Sequence, residues 1–346
     1  MKYPILTPDA VRKCVARLPR VDLAHLPTPF EEVPRFAEKL GGVRVFIKRD
    51  DCTGLLFGGN KTRHNEFLLA DALRQGADVI VWGAGVQSNN CRQTAAACAK
   101  LGLECRLYLT RANHDPDVQG NLLLDYLAGA KVEIVDLPMG PEMNALLKTK
   151  AEELRAAGRR PYYWEPNSGR PIAAVGYVLC LAEIADDIRE HGLHPSAIYI
   201  SSAGGTGAGM ALGQVVLGLS CPVRSICPIP WPWKVREDLA EVANQTAALM
   251  NLPHRLTAED IHTTEEYIGA SYGAVTPEGW EAMDLLARTE GIMLDPVYTA
   301  KAMAALIDDV RRQRIKAGET VIFVHTGGTP AVFAYRDELM ERHAHR

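Results

Sequence analysis

Ile198-Tyr199-Ile200-Ser201-Ser202-Ala203-Gly204-Gly205-Thr206-Gly207-Ala208-Gly209-Met210 decides the reading of this chain. Ile198-Tyr199-Ile200 reads as a strand, four glycines follow within six residues, and an apolar helix is expected from Met210. Glycine lets consecutive backbone N–H groups converge, and a helix N-terminus adds a partial positive charge. Such a turn suits a phosphate, although a close-packed strand–helix turn without any ligand has the same composition. It is not a Walker A loop, because no Gly-Lys-Ser/Thr follows. A dinucleotide fingerprint calls for an acid about 20 residues on, at the end of the next strand. Cys227-Pro228-Ile229 stands there, with no carboxylate. A cofactor with a single phosphate fits better than a dinucleotide.

Outward from this turn, short β-branched runs alternate with longer amphipathic ones. Strands are expected at 44–47, 79–82, 105–109, 131–135, 197–200, 223–227 and 321–324. Helices are expected at 64–72, 89–101, 142–157, 172–189, 210–218, 234–250, 277–289 and 298–314. Regular alternation of strand and helix implies an α/β protein with parallel sheets and helices on both faces. Ligands of such sheets bind where strands end and helices begin. Besides 201–209, three such turns have unusual composition: Gly58-Gly59-Asn60-Lys61-Thr62-Arg63, Gly83-Ala84-Gly85-Val86-Gln87-Ser88-Asn89-Asn90 and His325-Thr326-Gly327-Gly328-Thr329.

The chain has 346 residues, room for about two domains. Its 47% apolar and 23% charged residues exclude disorder, collagen and coiled coil as whole-chain readings. A net charge of −4 gives no reason to expect nucleic acid or an anionic membrane. No apolar run approaches the ~18 residues of a membrane span, and no apolar h-region follows Met1. Eight cysteines without a C-x-x-C pair read as reduced thiols of a cytoplasmic protein. Their spacing, and that of the histidines, suggests no metal site.

Lys61 is the chemically loaded residue of the 58–63 turn. A lone lysine is usually a solvated surface charge. Two glycines and an asparagine before it, next to an amphipathic helix, favour an amine held in a partly desolvated pocket, where it becomes nucleophilic. A phosphate cradle and such a lysine in one α/β chain point to pyridoxal 5'-phosphate.

Ile47-Lys48-Arg49-Asp50-Asp51, Gly58 to Arg63, Gln87-Ser88-Asn89 with Arg92-Gln93-Thr94-Ala95-Ala96, Leu294-Asp295-Pro296-Val297-Tyr298 and His325-Thr326-Gly327-Gly328 resemble the aminocyclopropane-carboxylate deaminase/D-cysteine desulfhydrase family. The resemblance runs from about Leu26 to Tyr335. Leu23 to Pro29, with Arg49 to Gly54, is most similar to the L-cysteate sulfo-lyase branch. The fold this implies is tryptophan-synthase-β-like (fold type II): two open, twisted, parallel-sheet α/β domains with the cofactor in the cleft. The large cofactor-binding domain would comprise 1–64 and 173–346, and a small inserted domain 65–172.

Carried over residue by residue, the resemblance implies that Lys61 bonds the cofactor's aldehyde carbon. Ser88 would lie beside the substrate carboxylate and Cα, with Gln87, Asn89 and Trp164 also lining the substrate. Asn89 would meet the cofactor's phenolic oxygen, and Asn60 would also bind the cofactor. Ala203, Gly204, Gly205 and Thr206 would hold the phosphate. Tyr298 would lie against the ring, Tyr272 would be a second active-site tyrosine, and Thr299 would meet the pyridine nitrogen. The implied reaction is β-elimination from a small amino acid, with C–S cleavage of cysteate or D-cysteine yielding pyruvate, ammonia and sulfite or sulfide. Aminocyclopropane-carboxylate deamination or another ammonia-lyase reaction is the alternative. A homodimer is implied too.

The chain departs from the family's pattern at several points. His64-Asn65 stands where Lys-Leu or Lys-Asn is common, and Asn90 where His or Gln is. Thr299 replaces the deaminase branch's glutamate. A Pro-x-Gly-Gly-Ser-Asn-like loop is replaced by Trp164-Glu165-Pro166-Asn167-Ser168-Gly169. Pro228 to Lys234 carries Trp231 and Trp233. These tryptophans read either as domain packing or as a reshaped substrate pocket.

Overall fold

The computed structural model describes residues 3–111, 117–164 and 168–344. The strands are β1 (Phe30–Glu32), β2 (Arg44–Lys48), β3 (Val79–Gly85), β4 (Glu104–Thr110), β5 (Lys131–Val135), β6 (Pro161–Tyr162), β7 (Pro195–Ser201), β8 (Val223–Ile226), β9 (His262–Thr264) and β10 (Thr320–Val324). The helices are α1 (Pro8–Val15), α2 (Pro34–Lys39), α3 (Asn60–Arg74), α4 (Asn89–Leu101), α5 (Gly120–Leu127), α6 (Pro141–Ala156), α7 (Gly169–Glu190), α8 (Gly205–Leu217), α9 (Val235–Leu249), α10 (Pro277–Glu290), α11 (Thr299–Arg311) and α12 (Arg336–Ala344).

They build two sheets. The larger has the order β1-β2-β10-β7-β8-β9 and the smaller β5-β4-β3-β6. Every pairing is parallel except β1 on β2. β10 is central and fully buried, with Ile322 opposite Phe46 on one side and Ile198 on the other. One core joins the large sheet to α1, α7, α8 and α9, and another joins it to α2, α10 and α11. Helices on both faces explain why its inner strands are continuous apolar runs rather than alternating ones.

The small sheet uses only strands between 79 and 162. The boundaries expected at 64/65 and 172/173 fall inside α3 and α7, which run unbroken from one sheet's surroundings into the other's. These two helices pack on each other, and α3 also packs on α4.

The helix expected from Met210 begins five residues earlier, at Gly205. Low helix propensity argues against Gly205, Gly207 and Gly209 as helical, but tertiary packing overrides it. A Cβ on Gly205 would sit 3.0 Å from the Arg170 carbonyl, one on Gly209 2.2 Å from the Ala174 carbonyl, and one on Gly213 3.1 Å from Leu181 Cβ. The glycines thus form the face along which α8 lies directly against α7. The close-packed strand–helix turn that the composition also allowed is therefore present.

Candidate active site

Four turns converge at the carboxyl ends of β10, β7 and β3. Asn60 N donates to Thr326 O at 2.9 Å, which joins the lysine turn to the turn after β10. Asn60 Nδ2 donates to Thr206 Oγ1 at 3.0 Å, joining it to the glycine loop after β7. Thr62 N donates to Gln93 Oε1 at 2.9 Å, and Gln93 Nε2 donates to Asn89 O at 3.0 Å, joining it to the turn after β3. A Cβ on Gly327 would lie 2.7 Å from Gly59 Cα, so the two turns meet backbone to backbone.

Lys61 stands one residue inside α3, partly buried. Its Nζ has no hydrogen bond or ion pair among the described residues. Burial alone, with no offsetting carboxylate, pushes it down to about 8. Arg63, two residues on, behaves in the opposite way. Although burial works against its charge, Asp50 and Glu183 hold it well above its ordinary value through paired bonds of 2.8–2.9 Å. These ion pairs fasten the first turn of α3 to the Asp50 turn and to α7, while leaving Lys61 free.

At the glycine loop, Ser202 Oγ accepts from Gly204 N at 3.2 Å and Gly207 N at 2.8 Å. The N–H groups of Ala203, Gly205 and Thr206 have no acceptor among the described residues. Unpaired donors at a helix N-terminus form an anion cradle. At α4, Ser88 caps the helix by accepting from Cys91 N at 3.2 Å, which leaves its hydroxyl proton uncommitted. Asn89 Oδ1 accepts from Asn121 Nδ2 at 2.8 Å, and Asn89 Nδ2 has no partner among the described residues. Tyr298 and Tyr272 bring their hydroxyls to 3.3 Å, and burial raises both phenols.

Three of the expected residues have their polar atoms or rings engaged elsewhere in the fold. Thr299 is fully buried and spends its hydroxyl on Asp295, donating to Oδ1 at 2.7 Å and accepting from Asp295 N at 2.8 Å. No proton is left for a ring nitrogen. The hydroxyl of Thr326, buried two residues past the end of β10, has no partner among the described residues. Gln87 donates to Gln119 O and accepts from Asn121 N, bracing the start of α5. Trp164 lies in the small sheet's core, stacked on Trp82 at 4.6 Å and pressed against Gly169. It packs the domain. Glu165, Pro166 and Asn167 lie outside the described residues. Trp231 donates to Asp238 Oδ2 at 3.0 Å and sits 3.7 Å from where a Gly204 Cβ would be, covering the glycine loop.

Asn121 was not singled out from the sequence, and Thr326, Gln93 and His64 entered there only within motifs or as a departure, with no site role. Only Thr326 carried a usable signal there, a hydroxyl directly after an apolar strand.

Comparison with known proteins shows the family. Residues 21–327 match the pyridoxal-phosphate dependent enzyme family. A crystal structure of an ACC deaminase homologue is 34% identical, covering 96% of this chain and 98% of its own, with a TM-score of 0.87. Diaminopropionate ammonia lyase from Escherichia coli (14% identical, 96% and 91% covered, TM-score 0.64) and O-ureido-L-serine synthase (16%, 89% and 92%, 0.64) share the fold. The chain belongs to the pyridoxal-phosphate dependent enzyme family, with the fold type II architecture.

Proposed function

We propose that this enzyme is a carbon–sulfur β-lyase that eliminates sulfite or sulfide from a small amino acid of the cysteate or D-cysteine type. The products are pyruvate and ammonia. The observation that carries the lyase reading is Lys61: a partly buried amine with no partner among the described residues, brought to about 8 by desolvation and joined through Asn60 to an anion cradle.

The residues fit the cofactor. The free N–H groups of Ala203, Gly205 and Thr206, with the Thr206 hydroxyl, would hold its phosphate. Asn89 Nδ2 would meet the phenolic oxygen, Thr326 the ring nitrogen and Tyr298 the ring face. When bound, the cofactor supplies an electron sink for the negative charge that develops at substrate Cα. Lys61 would anchor the cofactor, and its neutral Nζ would take the proton from substrate Cα. Ser88, with its free hydroxyl proton at the N-terminus of α4, receives the substrate carboxylate. The paired hydroxyls of Tyr272 and Tyr298 orient the side-chain end.

The sulfur preference is supported by the neutral surroundings proposed for the ring nitrogen. The carboxylate that Thr299 bonds, Asp295, is consumed by Val297 N, Tyr298 N, Thr299 N and the Thr299 hydroxyl. Purified holoenzyme should be screened against D- and L-cysteine, cysteate, β-chloroalanine, diaminopropionate and aminocyclopropane-carboxylate, following pyruvate, ammonia, sulfide and sulfite. Highest kcat/KM on a sulfur amino acid is the expected result, and highest kcat/KM on diaminopropionate or aminocyclopropane-carboxylate overturns it. The proposal extends to a cytoplasmic homodimer, for which light scattering should give twice the chain mass.

A further inference from the structure

Thr206 Oγ1 is held from α3 by two side chains. Asn60 Nδ2 lies at 3.0 Å and His64 Nε2 at 2.9 Å. A hydroxyl has one proton and two lone pairs. Asn60 fills one lone pair, and His64 decides the rest. If Nε2 accepts, it takes the hydroxyl proton. If Nε2 donates, it fills the second lone pair and frees that proton for a third partner.

His64 is buried, and burial together with the nearby Lys61 keeps its imidazole neutral, well below its ordinary range. Its ring meets Tyr177 edge-on at 5.6 Å, and Tyr177 is itself anchored to Asp50 at 2.7 Å, which braces that side of the ring. Nδ1 has no partner among the described residues, so nothing on the far side of the ring selects the tautomer. Thr206 and whatever lies beyond it make the selection. Beyond it are the unpaired N–H groups of Gly205 and Thr206 at the start of α8. A dianion there gains a charge-assisted bond only if the hydroxyl proton turns toward it.

We propose that His64 is a positioning residue for the cofactor's phosphate: its Nε2–H holds Thr206 Oγ1 so that the hydroxyl proton of Thr206 points at a phosphate oxygen. This rests on the 203–206 loop being the phosphate site.

The test uses apo-protein prepared from the wild type, His64→Leu, His64→Gln, Thr206→Val and the His64→Leu/Thr206→Val double variant. Each is titrated with pyridoxal 5'-phosphate and with pyridoxal, which lacks the phosphate. His64→Leu should weaken pyridoxal 5'-phosphate about tenfold, the scale of one hydrogen bond to a charged group, and leave pyridoxal unchanged. His64→Gln should recover most of that loss, because its amide can donate where Nε2–H did. The double variant should bind no worse than Thr206→Val alone. Nitrogen-15 chemical shifts of His64 in the loaded enzyme should show the proton on Nε2.

Equal weakening of both ligands by His64→Leu would make the residue merely structural and overturn the proposal. So would a full additional loss in the double variant, or a proton on Nδ1 in the loaded enzyme. Weakening by Thr206→Val alone removes His64 but keeps the phosphate loop. If neither single variant alters the preference for pyridoxal 5'-phosphate over pyridoxal, the loop is not the phosphate site and the reading beneath the proposal falls with it.

Discussion

An amine attacks an aldehyde only in its neutral form, and a lysine in water is almost wholly charged at neutral pH. Desolvation brings Lys61 to about 8, so its neutral fraction grows roughly tenfold per pH unit below that point and then levels off. The rate at which apo-protein captures pyridoxal phosphate should follow this curve, read by stopped-flow absorbance. A rate still climbing steeply at pH 10 would mean that the amine is solvated. Lys61→Ala should lose covalent attachment, so that borohydride reduction and peptide mass spectrometry find no modified lysine. Turnover should drop by roughly 10²–10⁴-fold, the scale of a lost general base. Ser88→Ala removes a helix cap worth about 1 kcal/mol, and with it the hydroxyl proposed to meet the substrate. Bound cofactor should persist while kcat/KM falls; loss of cofactor with unchanged chemistry in what remains would make Ser88 structural. Lys61, Ser88 and Asn89 stood out because each sits in a turn whose local composition is odd, and the structure brings those turns together. His64 stood out only as a departure from the family's pattern; its partner Thr206 lies 142 residues away and nothing near it in sequence announces the contact.

At the scale of elements, the strands with strong β-branched runs were legible almost residue for residue, as β5 shows: 131–135 expected and Lys131–Val135 observed. The three strands missed, β1, β6 and β9, span three, two and three residues, too few for a period-2 pattern to register. α8 was misplaced at its start for a different reason: its glycines are required by a neighbour, α7, that local propensity cannot see. That seam yields a sharp prediction. A Cβ on Gly209 would sit 2.2 Å from the Ala174 carbonyl and 2.8 Å from Tyr177 Cβ, both rigid. Gly209→Ala should destabilise the fold by about 1–3 kcal/mol, as overpacking does, despite alanine's better helix propensity. Denaturant melts are the check, and a Tm at or above that of the wild type would show that the two helices do not touch as described. Because Tyr177 also braces His64, the same variant should weaken pyridoxal phosphate.

Over the whole molecule, the parallel order β2-β10-β7-β8 sends the turns after β10 and β7 to one edge of the large sheet, and the small sheet brings the turn after β3 to meet them. Alternation of strands and helices predicted that an edge would be the site. It could not say which side chains there would be consumed by others, as Thr299, Gln87 and Trp164 are. That distinction bears on the substrate. A carboxylate beside a pyridine nitrogen keeps it protonated and deepens the electron sink. Opening a cyclopropane ring has no leaving group to assist it and relies on that depth. Asp295 is buried and satisfied by four donors, with Gly328 pressed so close that a Cβ there would lie 2.6 Å from the carboxylate carbon. Thr326 would therefore offer the nitrogen only a neutral hydroxyl. A weaker sink still suffices when sulfite or sulfide leaves Cβ as charge builds at Cα. The enzyme should therefore release pyruvate from a sulfur amino acid and little or no 2-oxobutanoate from aminocyclopropane-carboxylate. Equal or faster 2-oxobutanoate formation would place a charged partner at the nitrogen and reverse the assignment. Thr326→Ala should slow the sulfur reaction only modestly if the neutral hydroxyl is a weak partner, and a loss as large as that of Lys61→Ala would contradict the account of the sink.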